Sequence, residues 1–203
     1  MNMGDSTYSS QENTLIASRK ENELFSYISF CLSQAREYIR LAKSASLLSK
    51  PHLLFCSFSL FAKALIASKL GAPKDEPTHG LTNRGTREEG DTLLESEVIV
   101  KEKGLFQSLH LCFATTPIKS GTRLKMKDLL GCVEGMDFPK VLNLDEPSAH
   151  LAISFLLSMI CRYEPLKWQR GIREEWIGKY LDIAEQRFPQ ILERELETSG
   201  YKL

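Results

Sequence analysis

Four side chains spaced four, three and four apart, His52, Cys56, Ser59 and Lys63, form one stripe of a single apolar run. On one helix face a histidine and a cysteine can make a nucleophile. The imidazole takes the thiol proton, and a nearby lysine favours the thiolate. The same stripe also suits a seam of small side chains against which another helix packs, with Lys63 reaching outward. That plainer reading is preferred.

A second group lies in HGLTNRGTREEGDTLLESEVIVKEKGLF, from His79 to Phe106. His79, Thr82, Asn83, Arg84 and Arg87 together can hold an anion or a partner's carboxylate, because guanidinium groups bind such oxygens in a two-pronged fork. Read as a catalytic site, His79, Arg84 and Arg87 would act on a phosphate-containing substrate, as in a hydrolase or nuclease. Against both, Arg84 and Arg87 can pair with Glu88, Glu89 or Asp91 on a solvated loop, contacts worth only ~0–1 kcal/mol. Long polar loops inside compact helical domains are uncommon unless they are used. GTREEG spaces Gly85 and Gly90 as a P-loop does, but Asp91 stands where a lysine must reach the phosphates, which argues against nucleotide binding of that kind.

The third group is Trp168, Trp176 and Tyr180, spaced eight and four, with Arg162, Arg170 and Arg173 nearby. Trp, Tyr and Arg are favoured where partners dock. The candidate binding residues are therefore His79, Asn83, Arg84 and Arg87 on the loop, and Trp168, Arg170, Arg173 and Trp176 towards the C-terminus. His110 and His150 sit beside apolar residues and read as packing. No acidic pair stands out for general acid–base work. The absence of CxxC and HExxH patterns points to no sequence-local metal site and no cofactor.

The elements that must position these residues are mostly helices. The chain has 203 residues, 42% hydrophobic and 26% charged, with 26 basic against 26 acidic side chains. That balance lacks the basic excess of a dedicated nucleic-acid binder. The expected fold is mainly α: a single helical domain over 19–203, a small β element near 96–102, and a polar, flexible tail over 1–18. From about Glu21 to Leu48, Leu24, Ile28, Cys31, Ala35, Ile39 and Ala42 make one buried stripe. Pro51 opens a second helix that ends at Gly71; it is apolar almost all round and should be central, with Leu54, Phe58, Phe61 and Leu65 buried. SEVIVKEKG reads as a strand with Val98 and Val100 inward. KMKDLLGCV reads as a short helix closed near Gly131, and EPSAHLAISFLLSMICRY as a second all-round apolar helix. The remainder is one or two helices broken at Pro189. Five scattered cysteines, a polar N-terminus and apolar runs too short to span a bilayer predict a reduced, cytoplasmic protein without a membrane segment.

KPHLLFCSFSLFAKALIASKLG, HGLTNRGTREEG leading to SEVIVKEKGLF, and SMICRYEPLKW with the later QRFPQIL occur in order along the chain. In these stretches the sequence resembles the YaaC-like proteins of bacteria, from roughly Lys50 to Leu192. The resemblance implies a mostly helical bacterial protein of a family without an established activity, and carries over no catalytic residue. FAKALIASKLG also resembles the helical bundles of HEPN type. Their ribonuclease motif is absent, because no arginine stands five to seven residues before His52, His79, His110 or His150.

Two functions follow. The favoured one is a non-enzymatic accessory subunit that docks on a larger protein partner, meets nucleic acid only indirectly, and leaves self-association open. By analogy such subunits accompany nucleases or ATPases in phage and plasmid defence. The alternative is an enzyme with a site around His79 and Arg84.

Overall fold

The computed structural model describes residues 5–74, 76–83 and 92–201, with the side chains of the first helix from Ala17 onward. Arg84 and Arg87, and the acidic residues between them and Thr92, lie outside the described residues.

Helix α1 (Asp5–Ser44) packs along α2 (Lys50–Leu70). Its buried stripe is Leu24, Ile28, Cys31, Ala35 and Ala42, joined by Leu32, while Ile39 is partly buried. The Ser57 hydroxyl donates to the Ala35 carbonyl at 2.8 Å, which fixes the seam between the two helices. Helix α2 starts with Pro51 in its first turn and ends at Gly71, whose φ of 67° reverses the chain at no steric cost. Leu54, Phe58, Phe61 and Leu65 are at most 1% exposed. By length and composition α2 could cross a membrane, contrary to the expectation that every apolar run is too short. Instead α1 and α3 (Leu105–His110), with α5 (Glu146–Tyr163) and α7 (Glu175–Thr198), pack around it, so its apolar length serves the core.

Helix α5 covers the predicted span. Asp145 caps it by accepting from the Ser148 N–H at 2.7 Å. Contacts between His52 and Ser158, Phe55 and Phe155, and Phe58 and His150 run in opposite directions along the two chains, so α2 and α5 are antiparallel. The C-terminal part contains α6 (Pro165–Gly171) and α7. The break falls between Gly171 and Glu175, and Pro189 lies inside α7, correcting the expected break there. Proline removes one backbone hydrogen bond. Its neighbours Phe188 and Leu192 are fully buried and hold the helix on its course; Phe188 stacks on Phe58 at 4.0 Å with 20° between the rings.

The β element is larger than expected. Strands β1 (Leu81–Thr82), β2 (Glu97–Val100) and β3 (Arg123–Lys125) form an antiparallel sheet in the order β1-β2-β3. Val98 faces Leu124 across the ladder, and Val98 and Val100 turn inward as the alternation predicts. A short helix, α4 (Met126–Leu130), follows β3 directly and ends at Gly131.

Candidate functional site

His79 sits on a loop clamped from both sides. The Leu105 N–H donates to the Thr78 carbonyl at 3.0 Å, the Phe106 N–H to that of His79 at 3.0 Å, and the Lys101 N–H to that of Gly80 at 2.9 Å. So close an approach needs glycine at the contact. A Cβ on Gly104, whose φ is 124°, would stand 2.5 Å from the Gly80 nitrogen. The clamp leaves the His79 side chain exposed to solvent. One edge of its ring leans on Phe55 of α2, with centroids 5.0 Å apart, and Phe155 of α5 lies 5.8 Å away. Three separate parts of the chain thus meet at one imidazole.

The charges around it are of one sign. Burial against the two rings, then Lys63, Arg162 and Lys101, hold His79 below the ordinary histidine pKa, so it is neutral at pH 7. Among the described residues Lys63, Lys101 and Arg162 have no ion-pair partner. Arg162 donates to the Ser158 carbonyl at 2.9 Å and lies 5.0 Å from the centre of the Tyr163 ring. The Glu164 carboxylate accepts from Asn83 at 3.3 Å and lies 3.9 Å from the Lys167 ammonium. Asn83 is thereby bound to the α5–α6 corner.

The stripe on α2 is half-buried between α2 and α5. His52 Nδ1 lies 3.0 Å from the Ser158 hydroxyl, and the Cys56 sulfur 3.8 Å from His52 Nε2. Burial pushes the Cys56 thiol up, against a smaller opposing pull from Arg162. Burial and then Arg162 push His52 down. Both groups are neutral at pH 7, the opposite of the thiolate–imidazolium pair a cysteine nucleophile needs. The Ser59 hydroxyl donates to the Phe55 carbonyl at 2.8 Å within the helix. This arrangement is a packing seam.

The C-terminal candidates separate. Trp168 is 3% exposed and part of the core. Trp176 is half-buried; its ring N–H donates to Glu174 at 2.6 Å, and it lines a crevice of about 320 Å³ with Met136, Phe138 and Lys179. Arg170 and Arg173 are exposed. Sequence reasoning missed Tyr163 and Leu166, 66% and 73% exposed at the α5–α6 corner. It missed Lys101 as a neighbour of His79 as well. The structure brings them together through the tight contact of Gly80 with Gly104, which the sequence does not announce.

The other histidines have structural partners. His110 Nδ1 lies 2.6 Å from Asp145, the residue that caps α5. His150 is fully buried, 3.4 Å from the Tyr180 hydroxyl and 3.6 Å from Glu146. Among the described residues, no three His, Cys, Asp or Glu side chains are grouped to hold a metal ion.

Compared with known families, the sequence matches the profile described as YaaC-like Protein over residues 5–139 and 135–196. The match supplies nothing for the HEPN-type likeness. No curated protein and no solved structure matches the chain.

Proposed function

The chain belongs to the YaaC-like family, and from that premise we propose that it is a non-enzymatic helical subunit that docks on a larger protein partner in a bacterial multi-protein complex. One observation carries this reading. Tyr163 and Leu166 stand in water at the α5–α6 corner, beside the exposed Arg162 and Arg170. Leu166 and Arg170 are four apart on α6 and so share a face. Large apolar side chains next to arginines are what a partner buries at the centre of an interface. Arg173 extends the strip, and Trp176 follows it on α7.

In this role the protein supplies recognition and its partner the chemistry. A nuclease or ATPase partner, as in phage or plasmid defence, fits a chain whose GTREEG stretch lacks the P-loop lysine. The half-buried free thiols of Cys56, Cys112 and Cys161 suit a cytoplasmic setting.

The test is recovery of tagged full-length protein from its native bacterium, with Leu166→Glu/Arg170→Glu as the comparison. The double variant should keep its thermal midpoint, because both side chains are exposed, and should lose its co-purifying partner at least about tenfold. Equal recovery of the same partner by both proteins would rule this strip out as the contact.

A second reading rests on His79, an exposed imidazole that is neutral at pH 7, as a general base must be. In it the protein is a hydrolase or nuclease for a phosphate-containing substrate. Metal-dependent cleavage of oligonucleotides or phosphate esters by the purified protein, abolished in His79→Ala, would replace the first reading with this one.

A further inference from the structure

The geometry points to a binding site for a small monocarboxylate with an apolar body, in the cleft between the end of α2 and α3. Lys74 and Lys69 take the carboxylate, and Ile66, Leu70 and Leu111 take the body. The cleft shares no residue with the docking strip at Tyr163 and Leu166, so neither depends on the other.

Three parts of the chain build it. Ile66, Lys69 and Leu70 are three and four residues apart on α2 and share a face. Lys74 comes from the loop after Gly71, Ser108 from α3, and Leu111 from the end of that helix. With Cys112 they enclose about 270 Å³, near the lower end of small-molecule sites at ~300 Å³. Ile66 is buried, but Leu70 is 58% and Leu111 47% exposed, so water covers both apolar lips in the free protein. An apolar ligand body gains by displacing it.

Lys74 is set in place before a ligand arrives. Its ammonium donates to the Ser108 hydroxyl at 3.0 Å and lies 2.6 Å from the Glu76 carboxylate, and the same hydroxyl donates to Glu76. The Glu76 side chain is only 8% exposed, and the Tyr27 hydroxyl donates to the Lys74 carbonyl at 3.4 Å. A surface lysine ordinarily swings on a flexible stem. Here the swing is already removed, so binding costs less. An ammonium has three N–H donors; Ser108 and Glu76 take two of those on Lys74.

The charges decide the head group. Among the described residues, the charged side chains lining the cleft are Lys69 and Lys74. Their carboxylate partners, Glu195 at 3.4 Å from Lys69 and Glu76 at 2.6 Å from Lys74, do not line it. A cationic ligand would meet two ammonium groups, and a neutral one would leave their remaining donors unanswered. Because each lysine is already paired once, one negative charge fits what remains better than the two of a phosphate.

Cys112 supplies the readout, because it lines the same cleft. Its thiol donates to the Ser108 carbonyl at 3.4 Å, and burial pushes it up to about 11. It therefore reacts slowly at neutral pH and is followed at about pH 9. Cys161, also half-buried but on α5 and outside the cleft, is the internal reference.

The experiment is alkylation of the full-length protein by iodoacetamide, read at each cysteine by mass spectrometry, with octanoate, octanamide, octyl phosphate or acetate present. Octanoate should slow the labelling of Cys112 by about tenfold or more at saturation and leave Cys161 unchanged. Octanamide keeps the body and loses the charge, so it should need about tenfold more for the same protection. Octyl phosphate should protect no better than octanoate, and acetate should not protect. Lys74→Gln should weaken octanoate by about tenfold. Leu70→Gln should weaken it by about threefold or more and keep its thermal midpoint, since Leu70 is exposed, so it tests the site even where Lys74→Gln loosens the loop.

No protection by octanoate at millimolar concentration would overturn the inference and leave the cleft to a side chain of a protein partner. Equal protection by octanamide, tighter binding of octyl phosphate, or octanoate binding unchanged in both variants would overturn it as well. The docking strip has its own test at Leu166 and Arg170, so either assignment can fail alone.

Discussion

The ring of Phe58 on α2 lies flat against that of Phe188 on α7, 4.0 Å away, and both are fully buried. Phe61 and His150 meet the same Phe188 ring edge-on. The stack joins the central helix to the last helix of the chain.

Removing either ring should be costly. Phe58→Ala and Phe188→Ala are each expected to lose about 3–5 kcal/mol of stability, a large share of the total for a single domain. Because the two rings fill one space, the double variant should lose less than the sum of the singles. Denaturant unfolding of the four proteins measures this, and a strictly additive cycle would mean that the rings do not depend on each other.

Acid should loosen the same region. Burial raises the Glu146 carboxyl, but hydrogen bonds and charge from His150 and Arg187 outweigh it and bring the pKa down to about 2. Arg187 holds both carboxylate oxygens, at 2.7 and 2.9 Å. A carboxyl depressed in the folded state gives stability that is complete above its unfolded value, near 4.5, and is lost as pH falls towards 2. Buried His150 is also depressed, chiefly by desolvation, so the unfolded chain binds its proton first and stability begins to fall below about pH 6.5. The thermal midpoint should therefore decline in two stages. Glu146→Gln should shrink the lower stage, which it shares with Glu95, held down to about 2 by hydrogen bonds from Lys127 and Lys125. A midpoint flat from pH 7 to 3 in the unaltered protein would contradict both assignments.

Gly104→Ala should strike the loop rather than the core. The new methyl would meet Gly80 and the Thr78 hydroxyl at 2.5–2.6 Å, at a φ of 124° that side chains rarely adopt. The clamp must open to admit it. A loss of roughly 1–3 kcal/mol is expected, with altered NMR signals at His79, Gly80 and Lys101 and unchanged signals along α7. Ala tolerated with no shift at His79 would show that the loop is not held by this contact.

The helices were legible where one sequence signal dominated. Pro51 and Gly71 bracket an all-apolar run, and Asp145 with Pro147 opens another, so α2 and α5 follow directly. Val98 and Val100 announced β2 through alternation, but β3 offers a single apolar residue, Leu124, and exists because Val98 is there to pair with it. Pro189 misled because its backbone cost is local, whereas the burial of Phe188 and Leu192 that outweighs it is tertiary. On α6, seven residues are too few to fix a helical phase, so Trp168 inside and Leu166 outside could not be told apart. His79 was recognisable by type. Its ring neighbours Phe55 and Phe155 come from two helices far apart in the chain, and no local pattern links them.

The contact between Phe58 and Phe188 also sets a schedule for synthesis. The two rings are 188 − 58 = 130 residues apart, so at ribosomal speeds the first waits roughly 7–26 s for the second to be made. During that interval α1 can cover one flank of α2, because the two are neighbours in sequence. The flank that receives α7 stays open until α7 itself has been made. A nascent chain of this protein thus carries the Phe58 flank of α2 uncovered throughout that interval, the period in which a chaperone that shields exposed phenylalanines would matter most to its yield.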